Sequence, residues 1–317
     1  MNKKDKFKDF PALYRNNNSQ EILPRIIVKK DTAIHRMQIL MRNEICDFRL
    51  NFKEFILNKD PEMLHQLRVS LRRLRCAMGF LKKISPSHEL DELMQIAKNI
   101  GSVLGPVREL DVLREFITSK VLSEPNNLDT FESLLNYLDR LREEEFLKTL
   151  PKLNNVIEGT FCNNITKYLS LNDYQNIFSD NKNPSILEFS KNILEKLHKK
   201  SLSTKRDLNV STDKEKHELR ILLKKLRYAT EFFGNFFGHK KANKFITIIC
   251  KLQDLLGSKN DSLATKRLLS KIESFSGVNI SESSRIVQDY SDRVCLNLES
   301  ELLSTWKCFK KAQLYWN

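Results

Sequence analysis

The sequence predicts an all-α protein of two antiparallel helical bundles related by internal duplication. Three observations carry that reading. No stretch shows sustained strand alternation, and Gly and Pro number only eight each, few for a turn-rich β fold. Apolar residues recur at helical spacing along the chain. An eleven-residue pattern, His65-Gln66-Leu67-Arg68-Val69-Ser70-Leu71-Arg72-Arg73-Leu74-Arg75, returns 152 residues later as His217-Glu218-Leu219-Arg220-Ile221-Leu222-Leu223-Lys224-Lys225-Leu226-Arg227, with six identities. Leu104-Gly105 returns as Leu256-Gly257, and Arg108-Glu109 as Asn260-Asp261, at the same offset. Separate motifs at one offset mark a repeat. Each half holds about four core helices plus a longer appended one, and short connections favour antiparallel packing.

Residues 1–23 read as a polar N-terminal arm, 24–172 as the first bundle, 173–183 as an Asn/Asp/Ser-rich junction and 184–317 as the second bundle. Ile34, Met37, Met41, Ile45 and Phe48 predict a helix over 32–57. Asp60-Pro61-Glu62 supplies an N-cap, a first-turn proline and a first-turn acid, opening a helix to Lys83. Ser85-Pro86-Ser87 separates it from a helix over 88–103. Leu104-Gly105-Pro106 is a stop and restart before a helix over 107–120. A helix over 128–150 follows, with Pro151 as a kink or restart, and helix continues towards Leu169. In the second half the expected helices are 185–202, 212–236, 241–256, 261–275 and 283–311. Thr212-x-x-Glu215 is a capping box opening the second of these, and Gly257 is expected to stop the third.

The two repeated helices are unusual in their charge. At 100° per residue, His65, Arg68, Arg72 and Arg75 share a strip about 80° wide, away from the apolar stripe of Leu67, Leu71, Leu74 and Met78. His217, Arg220, Lys224 and Arg227 repeat it. No Asp or Glu occurs between Glu62 and Glu89. A solvated helix ordinarily gains a few tenths of a kcal/mol from each opposite-charge i,i+4 pair; this one forgoes it, so its counter-anion is expected from elsewhere. With 54 Lys+Arg against 40 Asp+Glu, net charge +14, the chain favours polyanions: nucleic acid, an anionic surface or a phosphate polymer.

Six cysteines without CxxC spacing read as reduced, buried thiols of a cytoplasmic protein. Met1 to Asn18 has no apolar core of a signal peptide, and no run approaches 18 apolar residues, so no membrane partner is expected. No His/Cys/Asp cluster has metal-ligand spacing and no cofactor is implied. Trp306, Phe309, Tyr315 and Trp316 read as a core-facing stripe, with the last two residues of the chain free.

His-x-x-Arg-x-x-x-Arg/Lys-Arg/Lys-x-Arg, followed by Leu-Gly and an Arg/Asn-acid pair, resembles the CHAD (conserved histidine α-helical domain) family. The resemblance covers the chain from about residue 24, and both repeats carry both motifs. It implies two bundles related by a pseudo-two-fold axis, with a basic central groove or pore. It also implies binding of inorganic polyphosphate without catalysis, and association with polyphosphate granules as an expectation. Carried onto this sequence, the contact positions are His65, Arg68, Arg72, Arg73, Arg75 and Arg108, with His217, Arg220, Lys224, Lys225 and Arg227. Arg73 and Lys225 lie off the strip. Glu109, Asp111 and Asp261 are expected as supporting acids; Glu109 stands where the family usually has Asp. The Glu-x-Glu-x-Lys signature of associated triphosphate-processing domains is absent.

Two other readings remain. A nucleic-acid-binding protein fits the charge, but no helix-turn-helix, RNP-like motif or aromatic-basic interleaving accompanies the strips. A phosphate-processing enzyme would need a Walker loop or a carboxylate cluster for Mg²⁺, and neither is present in the sequence.

Overall fold

The computed structural model describes residues 32–122, 128–170, 184–203, 208, 211–276 and 280–317. The expected N-terminal arm and interbundle junction fall outside them. The described residues are α-helical, with no strand and a single isolated β-bridge, Thr32 to Ser185.

Helix α1 (Ala33–Asn58) begins at Thr32, whose hydroxyl accepts from His35 N, and ends where Lys59 turns left-handed at φ 53°. Its buried face, Met37, Met41, Ile45, Phe48, Phe52 and Phe55, lies along α2 (Pro61–Leu81). Asp60 caps α2 by accepting from Glu62 N at 2.8 Å. Ser87 caps α3 (His88–Val103) by accepting from Leu90 N at 3.2 Å. Helix α4 (Gly105–Phe116) follows almost without interruption and passes into a π-helical turn, Ile117–Val121. Helix α5 (Leu128–Val156) runs straight through the exposed Pro151, so this proline does not restart it. A second π-turn, Ile157–Phe161, leads to α6 (Cys162–Ser170).

The second half opens with α7 (Ile186–Ser203). Its start is tied to that of α1 by Ala33 N donating to Pro184 O at 3.1 Å. Helix α8 (Asp213–Phe233) has the expected capping box: Thr212 and Glu215 satisfy each other's backbone N–H groups.

Two expected boundaries are corrected here. A single helix α9 (His239–Ser276) replaces 241–256 and 261–275, because Gly257 does not stop it. Its counterpart Gly105 is followed by Pro106, which lacks an N–H and enforces the restart; Ser258 does not. The final helix is divided into α10 (Ser281–Asn297) and α11 (Glu299–Lys310) at Leu298.

The apolar core is shared between the halves. One cluster joins α1, α2, α3, α5 and α6 to α7, α8, α9 and α11. A second joins α4 and α5 to the end of α9 and to α10. Tyr315 and Trp316 pack into the first cluster around Phe245. Trp316 is therefore buried, not free as the sequence reading had it. Cys46 and Cys308 are exposed, against the expectation of buried thiols. Among the described residues no helix is long and apolar enough to cross a membrane.

Candidate functional site

The polar strips of α2 and α8 come together where Arg72 faces Tyr228 and Lys224. Arg72 Nε of α2 donates to the Tyr228 hydroxyl of α8 at 3.3 Å. Next to it stands Lys224. Burial is the largest influence on its ammonium, and the nearby guanidiniums of Arg220, Arg72 and Arg227 add to it. Together they bring its pKa down to about 8. The cations crowded around this amine, secondary to burial in lowering it, make the place one where an arriving anion is favoured.

Along α2 the strip is partly sunk. Arg68 Nη1 donates to the Gly101 carbonyl at 2.8 Å near the end of α3. Burial, with Arg72 and Arg108 nearby, lowers its pKa to about 10. His65 is half-buried, and its imidazole is lowered first by burial and then by Arg108, with Arg72 adding and Glu62 opposing. Arg75 is half-buried and also lowered by burial. Arg108 reaches into the same neighbourhood from α4, with Glu115 3.7 Å away at its rim. Glu109 is exposed and faces Arg68 electrostatically.

On α8, Arg220 lies against Gly257: a Cβ there would stand 3.0 Å from Nη2 and 3.4 Å from Nε. The Nε of Arg220 is buried without a hydrogen-bond partner, and Nη2 is 3.8 Å from Asp261. Gly257 is thus a close-approach glycine, not a helix stop. Arg227 is more occupied. Its Nε is 3.1 Å from Glu231, outside hydrogen-bond alignment, and its guanidinium lies 5.3 Å from the Tyr228 ring centre. Its Nη1 also reaches Gln253 Oε1 at 3.5 Å. His217 is exposed at the start of the strip.

Three sequence candidates stand apart from this convergence. Arg73 is buried at 9 % exposure. It pairs with Glu44 of α1 at 2.9 Å and with Glu231 of α8, so its charge is spent inside the protein. Asp111, at 3 % exposure, accepts from Arg142, which also donates to Lys59 O at 2.7 Å. It anchors the end of α1 and holds no strip arginine. Lys225 is exposed and sits beside Cys76 and Lys83, off the Arg72–Lys224 contact. Arg73 and Asp111 thus make their direct contacts inside the protein, with Glu44 and Glu231 and with Arg142.

Tyr228 escaped the sequence reading. Eleven residues beyond His217, it returns to within about 20° of that histidine on the helix, which places it on the strip. Its counterpart 152 residues earlier is Cys76, so only the second repeat supplies this hydroxyl. Among the described residues no group of three or more His, Cys, Asp or Glu side chains is arranged to hold a metal ion.

Comparison with known proteins agrees with this architecture. No curated protein matches the chain. In structure it is similar to the crystal structure of the CHAD domain from the plant Ricinus communis, with TM-score 0.72 and 21% identity over 90% of this chain and 94% of that one. It is also similar to PptA from Streptomyces chartreusis, with TM-score 0.56 and 12% identity over 89% and 99% of the two chains. These identities establish the fold alone. The CHAD domain family model matches residues 40–270, which takes in both basic helices and the α9 segment beneath Arg220. The chain belongs to the CHAD domain family.

Proposed function

We propose that this protein binds inorganic polyphosphate, or a polyanion of similar charge density, in a basic groove between α2 and α8, and that it acts as a non-catalytic binding or targeting module. The observation that carries the reading is the convergence of Arg72 and Lys224 from the two repeats onto one site with Arg68, Arg220 and Arg108 around it. Membership of a family associated with polyphosphate binding supports it. So does the physics. A phosphate polymer brings about one charge per phosphate, and displacing its condensed counterions onto a Lys/Arg array drives binding. Arg68, Arg72 and Arg220 offer planar forks to phosphate oxygens, and Lys224 a point charge. The acids at the rim, Glu109, Glu115 and Asp261, limit the field and orient guanidiniums.

Filter binding of long-chain polyphosphate, single-stranded RNA and duplex DNA at one salt concentration tests the proposal. Polyphosphate should be retained at the lowest protein concentration. Tighter binding of either nucleic acid would overturn it. Release of phosphate from the polymer in the presence of Mg²⁺ would overturn the non-catalytic part.

A further inference from the structure

We infer that the anion track continues beyond the α2–α8 contact, across Lys225 and Lys83 and onto the lysines of α7, so that the protein selects long polyphosphate chains over short ones. The inference rests on the proposed function and extends it.

Lys83 lies in the turn that follows α2, two residues beyond its last residue Leu81. It is exposed, and ammonium groups from two other helices lie near it: Lys196 and Lys200 of α7 and Lys225 of α8. The Cys76 thiol beneath them is one helical turn beyond Arg72, and burial pushes it up to about 12, so it adds no compensating charge at neutral pH. On α7 the exposed Lys196, Lys199 and Lys200 line an open pocket of ≈ 350 Å³ with Asn192 and Glu195. Glu195 is held by Lys199 at 2.6 Å, which leaves the pocket cationic. Lysines from α7, from α8 and from the turn after α2 thus gather where α7 packs on α8, with Glu195 beside them. Exposed like charges repel, and Lys83 is steadied over the Phe80 ring, 5.5 Å from its centre. The ordinary reading is solubility charge, but such charge is scattered and mixed in sign. This group is concentrated, with Lys83, Lys196, Lys199, Lys200 and Lys225 around the single acid Glu195 of the α7 pocket, and Lys225 directly follows Lys224 in α8.

A polymer seated on Arg72 and Lys224 would be extended in this direction by flexible, point-charge lysines, which suit a mobile chain with no fixed register. A short oligomer fills the arginine-lined part and never reaches α7. Chain length is therefore read by how many of these lysines are engaged.

The test uses the full chain and isothermal titration with tripolyphosphate and with long-chain polyphosphate, over a salt series. Variants are Lys83→Gln with Lys196→Gln and Lys200→Gln, and separately Arg72→Gln with Lys224→Gln. Circular dichroism checks both for helix content. The lysine triple variant should bind long chains about tenfold more weakly at moderate salt. Its salt slope should be shallower by about 2, three contacts at the single-strand coefficient. Its affinity for tripolyphosphate should be unchanged. If long-chain binding is unchanged in the triple variant while the Arg72/Lys224 variant loses it, the extension is wrong and the proposed function stands. Equal weakening for both lengths would also overturn the extension, because it would report a general field. If the Arg72/Lys224 variant keeps full affinity for both polymers, the proposed function itself fails and the extension with it.

Discussion

Arg73 of α2 holds Glu44 of α1 in a two-pronged ion pair, its Nε and Nη2 both 2.9 Å from Oε1 and its Nε 3.0 Å from Oε2. Its remaining nitrogen binds Glu231 of α8, and its guanidinium lies 5.1 Å from the Phe232 ring centre. One cation therefore ties together three helices from both halves. Its repeat counterpart, Lys225, is exposed.

That difference predicts two outcomes from one motif position. Arg73→Met leaves Glu44 and Glu231 without their shared cation, and removing one partner of a buried charge cluster costs about 3–5 kcal/mol. The melting temperature should fall by roughly 10 °C. Lys225→Met should shift it little. An unchanged melting temperature for Arg73→Met would show that the cluster does not hold the helices together.

Gly257 gives a case where stability and binding part. Alanine is better than glycine inside a helix by about 1 kcal/mol, so Gly257→Ala should not weaken α9. Its Cβ, however, would stand 3.0 Å from Arg220 Nη2 and displace that guanidinium. Polyphosphate affinity should drop several-fold while thermal stability holds or rises. Gly105→Ala is the control, since nothing lies within 4 Å of its Cβ. Equal effects of the two variants on binding would remove Arg220 from the site.

Asp60 and Thr212, the two N-caps read from the sequence, cap α2 and α8. Thr32 and Ser87 also cap their helices, where the sequence reading marks only a helix start and a chain break. Gly257 was misread because a glycine that ends a helix and one that admits a side chain look alike in sequence. The absent Pro106 counterpart was the available signal. Strip angle also separated the basic residues: off-strip Arg73 is spent on Glu44 and Glu231, and off-strip Lys225 lies beside Cys76 and Lys83, away from Arg72 and Lys224. It could not foresee that Arg73 has Glu44 as partner, because that acid comes from a helix 29 residues away. Arg142, which takes up Asp111, is 31 residues distant and belongs to neither motif.

Two titrating groups should leave separate marks on affinity. Lys224 has a pKa of about 8 in the free protein, and a bound polyanion would raise it. Binding above that pH must take up a proton, so affinity should fall as pH rises from about 7 to 9. Lys224→Arg stays charged throughout and should flatten this limb. His65 is lowered below its usual value by burial and Arg108, and a bound anion would raise it too. Affinity should therefore rise as pH falls through the acidic range, and His65→Ala should remove that limb alone. A profile unchanged in both variants would place neither residue at the anion.

Salt dependence separates a built groove from a diffuse positive surface. If about six phosphates are neutralised with a single-strand-like coefficient, log K should fall with log[salt] at a slope of roughly −4. Arg68 is a poor position at which to test this, because its Nη1 is bonded to the Gly101 carbonyl and an acid there would face that oxygen. Arg72 and Lys224 are better, being half-buried on the two facing helices. Arg72→Gln with Lys224→Gln removes two charges while keeping polar side chains against Tyr228. The slope should become shallower by about 1.4 and affinity should fall about tenfold at moderate salt. Lys53→Glu with Lys152→Glu, exposed on α1 and α5, changes net charge by twice as much. Screening confines an exposed charge to roughly 8–10 Å, so this pair should weaken binding far less. Should both pairs weaken it in proportion to net charge, the convergence of Arg72 and Lys224 would carry no special affinity, and the groove reading would be wrong.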